Sequence, residues 1–302
     1  MGAVFQQVIL LLIFIAIGYI LCKTKKADNS HSKLLSVIGF HIFLPANLFS
    51  TFAKNFTPEY LTAKYPIVIV GLVFVVVMYF VGIPVSKLLS RDKYQQAIYR
   101  YSMVSPNYGY MGYALAGSLL DAAGLLDAMM FAIPMSLYTY TLGYCSLTGS
   151  KVTVKKLINP VNIAMLAGAA VGLSGITLPA LVSDLLSKAV ACMGPISMLL
   201  TGMVISEYDM RQMLTNKPVY VMTALRLLVI PLATGLVLKL LGLDFALKPT
   251  LSLVAVSCGL NTIVFPKLVG QDCKTGAALA CVSSVLCCVT IPLCFWIFGI
   301  QF

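Results

Sequence analysis

Two short segments place helix-breaking and hydrogen-bonding residues inside otherwise apolar sequence: Ser105-Pro106-Asn107-Tyr108-Gly109 and Cys258-Gly259-Leu260-Asn261-Thr262. Proline removes a backbone donor and disfavours helix at the residue before it. Asn and Gly tolerate the dihedrals of an unwound segment. In hydrocarbon an unpaired backbone group is so costly that a broken helix persists only where protein or a wet cavity satisfies it. Each half-helix that starts after such a break carries roughly +0.5 of an elementary charge at its N-terminus. Asn107 and Asn261 add amide donors at the same depth. Two such ends aimed at one volume suit a carboxylate, each contributing about 0.3–2 kcal/mol depending on burial.

Other chemistries are poorly supplied. The acidic residues Asp28, Glu59, Asp92, Asp121, Asp127, Asp184, Glu207, Asp209, Asp244 and Asp272 all fall at span ends or in loops. A proton antiporter built on a buried aspartate pair is therefore not expected, and Asp127 is the one coupling candidate. Arg100 and Arg226 are expected to snorkel to the interface, with attraction of an anion entering from the cytoplasm as the sharper role. His41 has no second histidine nearby and reads as a packed or cavity-lining residue. The nine cysteines form no Cys-x-x-Cys pair, so neither a disulfide framework nor a zinc site is expected. No convergent set of His, Asp, Glu or Cys has catalytic or ligand spacing. An enzyme, a metal and a cofactor are all unexpected.

The elements that position these residues follow from composition. Of 302 residues, 60% are hydrophobic and 10% are charged, too few charges for a soluble surface, so lipid is the solvent. Hydropathy predicts ten spans, at 4–21, 34–52, 66–89, 95–119, 122–147, 159–178, 181–206, 218–241, 248–269 and 275–299. Most are close to the ~20 residues that cross ~30 Å of hydrocarbon. The first lacks a basic leader and a small-residue cleavage site, and reads as a span and not a signal peptide. Fourteen Lys and Arg residues lie in loops after odd spans or in the span ends beside them, and five lie likewise in and beside the loops after even spans. Odd loops are then cytoplasmic and both termini outside. The net charge of +11 therefore reads as a topology signal, and no nucleic-acid partner is expected.

Matched residues recur at an offset of about 152: Pro66 with Pro218, Ser105 with Ser257 and Gly124 with Gly276, with Pro45 and Pro195 close to it. Each half has an odd number of spans, so the second inserts inverted, as in many secondary transporters. The expected division is 1–148 and 159–302, with a cytoplasmic linker at 149–158. The site is expected where broken helices 4 and 9 meet near the midplane.

Pro106, Asn107, Met111 and Gly112 form a Pro-Asn-x-x-x-Met-Gly segment in span 4. Span 9 keeps Gly259, Phe265 and Lys267 of a Gly-x-x-Pro break leading into Phe-Ala-Lys, with Thr262 and Pro266 replacing its Pro and Ala. Span 5 carries Ser136, Tyr140, Thr141 and Leu142, and span 2 carries Pro45 with Asn47. On these residues, and over all ten spans, the chain resembles the auxin efflux carrier family, which includes the plant PIN carriers and bacterial organic-acid carriers. The resemblance implies crossed, broken helices 4 and 9, a scaffold of spans 1, 2, 6 and 7, a mobile transport domain, a homodimer and elevator-like motion. The combined expectation is an all-α membrane protein of ten transmembrane helices in two inverted five-helix repeats. It would move a small organic anion, a carboxylate, across the cytoplasmic membrane. Asn47, Pro106, Asn107, Gly109, Ser136, Tyr140, Gly259, Asn261 and Thr262 form its expected substrate site. A passive channel and a sodium-coupled symporter of bile-acid type are the alternatives on a similar fold.

Overall fold

The computed structural model describes residues 2–151, 158, 160–209, 211 and 215–300, so most of the expected linker at 149–158 lies outside the described residues. Those residues form twelve helices: α1 (Gly2–Lys23), α2 (29–55), α3 (Pro58–Leu89), α4 (Lys93–Val104), α5 (108–119), α6 (122–147), α7 (Pro160–Ser174), α8 (Ala180–Ser206), α9 (217–240), α10 (Asp244–Val254), α11 (Asn261–Leu268) and α12 (Lys274–Ile297). Six of them, α2, α3, α6, α8, α9 and α12, are long and apolar enough to cross a membrane. Phe80, Leu166, Leu185 and Trp296 are among the large apolar side chains left exposed, as side chains that face lipid are. The chain is an all-helical, multi-pass membrane protein.

Two of the helix ends that depart from the hydropathy reading have a plain local cause. Span 3 was expected from Pro66, but α3 starts at Pro58 and carries Pro66 inside it. Thr57 Oγ1 accepts from Tyr60 N at 3.2 Å, and proline at the first helical position gives up a donor that has no intrahelical partner there. Span 6 was expected to run to 178, but α7 stops at Ser174. Gly175 takes φ +68°, the left-handed conformation that terminates helices and that glycine adopts without strain.

Small residues set which helices meet. The backbones of Leu199 and Ile15 close over Gly18 and Gly202, joining α1 to α8 with no room for a Cβ. Gly168 and Gly172 do the same for α7 against Phe49 and Phe52 of α2. In lipid, where burial gives no hydrophobic gain, such close van der Waals approach drives association. With α2 also packed on α8, the helices α1, α2, α7 and α8 form one group. In the remainder α3 packs on α4 and α6, α10 on α6 and α9, and α12 on α9.

Among the described residues four turns widen to π geometry: Gly39–Phe43, Tyr108–Gly112, Thr139–Gly143 and Leu225–Val229. The first and last immediately precede Leu44-Pro45 and Ile230-Pro231. Proline has no N–H, and its ring presses on the carbonyl four residues back, so the turn opens. At Pro231 that carbonyl belongs to Leu227, and the Cys294 thiol approaches it at 3.6 Å. Such π turns often coincide with functional sites.

Candidate functional site

Helix is interrupted between Val104 and Tyr108 and again between Val254 and Asn261, at the two segments singled out by their Pro, Gly and Asn. The unwound stretches cross. Pro106 and Cys258 pair as an isolated antiparallel bridge, and Asn107 N donates to Ser257 O at 2.9 Å. Gly259 makes the crossing possible, because a Cβ there would lie 2.7 Å from Ser105 O and 3.2 Å from the Tyr101 ring. A side chain satisfies one donor that the unwinding frees, Cys258 N donating to Ser283 Oγ at 3.0 Å, and Ser105 Oγ shares a 2.8 Å hydrogen bond with Thr139 Oγ1 beside the break.

Six of the nine expected residues, Pro106, Asn107, Gly109, Tyr140, Gly259 and Asn261, line one cavity together with Tyr108, Met193 and Leu260. Its water-accessible space is ≈ 10 Å³, about what a single water needs. An organic ligand therefore requires these walls to separate. The other three expected residues stand behind or away from the wall. Ser136 Oγ hydrogen-bonds Tyr108 OH at 3.1 Å, and Thr262 Oγ1 donates to Gly259 O at 2.8 Å. Asn47 is buried on α2, outside the lining set.

The two amides are anchored alike. Asn107 Nδ2 reaches Ser257 Oγ at 3.4 Å, and Asn261 Nδ2 reaches Tyr101 OH at 3.0 Å. Both Oδ1 atoms are buried without a partner. Because each anchor is a hydroxyl, which can donate or accept, a half-turn of either amide keeps the anchor and puts the NH₂ where the unpartnered Oδ1 stands. The pair can thus offer acceptors or donors. The half-helices α5 and α11 both start at this cavity and add the positive potential of their N-terminal ends, although Thr262 N and Ile263 N of α11 already donate to Gly259 O at 3.2 Å and Leu260 O at 2.8 Å.

Met193 and Tyr101 were not legible as site residues. Met193 comes from α8, in the other helix group, and only tertiary packing brings it to the breaks. The arginine expectation is corrected at one position. Arg226 does not snorkel: it is 0% exposed and donates to Met103 O at 3.2 Å and Val254 O at 2.6 Å. The π turn before Pro231 carries it, and sequence could have flagged Pro231 but not the direction of the side chain. Arg100 lies over the Tyr79 ring, 5.4 Å from its centroid. His41 is exposed, with Nδ1 3.0 Å from Val37 O, and lines no cavity at the breaks. Asp127 is buried on α6 and paired with Lys64 of α3 at 2.9 Å.

The model of the membrane transport protein family matches residues 3–151 and 145–296. No curated protein matches the chain. The two matched stretches cover nearly its full length, so the chain belongs to the membrane transport protein family, that of the auxin efflux carriers its motifs resemble.

Proposed function

We propose that the protein is a secondary carrier of a small organic anion, a carboxylate, held between the N-terminal ends of α5 and α11. One observation carries this reading: the breaks cross, so two half-helix N-termini and two asparagine amides face one cavity. Two N-termini together supply about +1 of an elementary charge. That balances one carboxylate. Amides that rotate on hydroxyl anchors can then donate to it.

On this reading α4 with α5, and α10 with α11, are single broken spans. The chain then has ten spans in two inverted halves, 1–148 and 159–302, joined by the linker at 149–158. The two stretches of the family match support that division. The group α1, α2, α7 and α8 serves as scaffold and as the homodimer contact. The remaining helices move as an elevator in the cytoplasmic membrane, with both termini outside. The seam between the groups passes the cavity, where Met193 of α8 meets the breaks, so sliding there opens the site.

Ligand binding to the native state raises stability by mass action, about 2.7 kcal/mol at a hundredfold excess over Kd. The expected result is that one or more short mono- or dicarboxylates raise the Tm of the purified chain saturably. The shift disappears in Asn107→Ala and Asn261→Ala. No shift with any of them, or shifts retained by both variants, would contradict the assignment. Saturable counterflow separates a carrier from a passive channel, and a sodium requirement would favour the symporter alternative.

A further inference from the structure

Arg226 is the largest fully buried side chain that carries a charge, and none of the ion pairs among the described residues includes it. A buried guanidinium without a carboxylate needs another source of negative potential. The geometry supplies one. Met103 lies in the last turn of α4, and Val254 is the last residue of α10. In a continuous helix their carbonyls would accept from the N–H groups of residues 107 and 258. At the crossing both donors are diverted: Asn107 N goes to Ser257 O, and Cys258 N goes to Ser283 Oγ. The two guanidinium nitrogens of Arg226 take the places of those two missing donors.

The charges balance as well. Two helix C-termini carry roughly −0.5 each, so the pair presents about −1 to a +1 side chain. In carriers built on broken helices, such C-terminal ends and unwound carbonyls are where a coupling cation is coordinated, while the N-terminal ends take the anion. We infer that Arg226 is a resident counter-cation of the crossing. It fills from within the protein the position a coupling sodium ion would need. The opposite face is left at about +1, matched to a monoanion. Transport then requires no co-bound cation, and removal of the guanidinium opens a cation site between Met103 O and Val254 O. This cation-independence rests on the carrier reading; the clamp on the two helix ends does not. Arg226 acts here as a positioning residue.

The test compares the purified full-length chain with Arg226→Ala and Arg226→Lys, using sodium and guanidinium ions as probes and thermal unfolding as readout. Wild type is expected to have the same Tm in sodium chloride as in choline chloride. Arg226→Ala is expected to have a lowered Tm that guanidinium chloride restores in part, saturably, at low millimolar concentrations that leave wild type unchanged. Arg226→Lys, which keeps the charge but not the fork, falls between and does not respond to guanidinium. A saturable rise of the wild-type Tm with sodium would overturn the inference, even if the alanine variant fails to fold. An alanine variant with wild-type Tm and no response to either ion would overturn it too. Neither readout uses a carboxylate, so the outcome stands apart from the ligand screen.

Discussion

At the scale of single residues, the crossing is held by one absent methyl and two rotatable amides. A Cβ at Gly259 would press on backbone, on Ser105 O at 2.7 Å, whereas one at Gly109 would meet only the flexible end of Met193 at 3.9 Å. Overpacking against rigid neighbours costs about 1–3 kcal/mol. Gly259→Ala is therefore expected to lower the Tm by several degrees and Gly109→Ala to leave it nearly unchanged, as thermal unfolding of the two variants would reveal. The hydroxyl anchors give a second contrast. Tyr101→Phe removes the group that holds Asn261 and should weaken carboxylate binding about tenfold, the value of one charge-assisted hydrogen bond of about 1.5 kcal/mol.

At the scale of elements, proline follows two of the four π turns among the described residues, those ending at Phe43 and Val229. Pro231→Ala removes a residue that normally destabilises a helix interior by about 3 kcal/mol, so stabilisation is the naive expectation. The π turn Leu225–Val229 carries Arg226, and a regular helix would rotate the guanidinium off Met103 O and Val254 O. A lower Tm is predicted, and a higher one would show that the turn does not depend on Pro231. Outside the membrane, Asp28 caps α2 by accepting from Ser30 N at 2.8 Å. Hydrogen bonds from the Ser30 and His31 side chains hold its carboxyl well below the usual carboxylate range. A lowered carboxyl pKa means the cap is fully present above about pH 4 and is lost as pH falls through the depressed value, so amide exchange at residues 30–32 should rise only in strong acid.

Much of this was legible in the sequence, because helix breakers in an apolar run have few other meanings. Pro106 and Gly259 marked both breaks, and Asn107 and Asn261 marked the cavity. Helix ends set by one glycine, such as Gly175, lie inside runs that hydropathy reads as continuous. The inward turn of Arg226 and the arrival of Met193 depend on packing between distant segments, and no local pattern encodes them.

At the scale of the whole molecule, two groups of helices meet beside the cavity, and a charged contact ties them together at one end. Lys267 of α11 bonds both carboxylate oxygens of Glu207, just beyond α8, at 2.7 Å, and Ser32 of α2 donates to Glu207 at 3.0 Å. Glu207→Gln leaves a largely buried ammonium with a weaker partner. Breaking a fully buried pair costs about 3–5 kcal/mol, and the partial exposure of Glu207 reduces that here. Faster amide exchange at residues 263–274 is expected in this variant, with exchange at the distant Lys64–Asp127 pair unchanged.

The central claim, that a carboxylate is carried at the crossing of the two breaks, is tested most directly by counterflow. Proteoliposomes loaded with the carboxylate that gives the largest Tm shift would be assayed for uptake of its labelled form, with wild type, Asn107→Ala and Asn261→Ala reconstituted at equal amounts. Saturable wild-type uptake, reduced about tenfold or more in each variant, is the predicted result. Uptake unchanged in both variants would contradict the account.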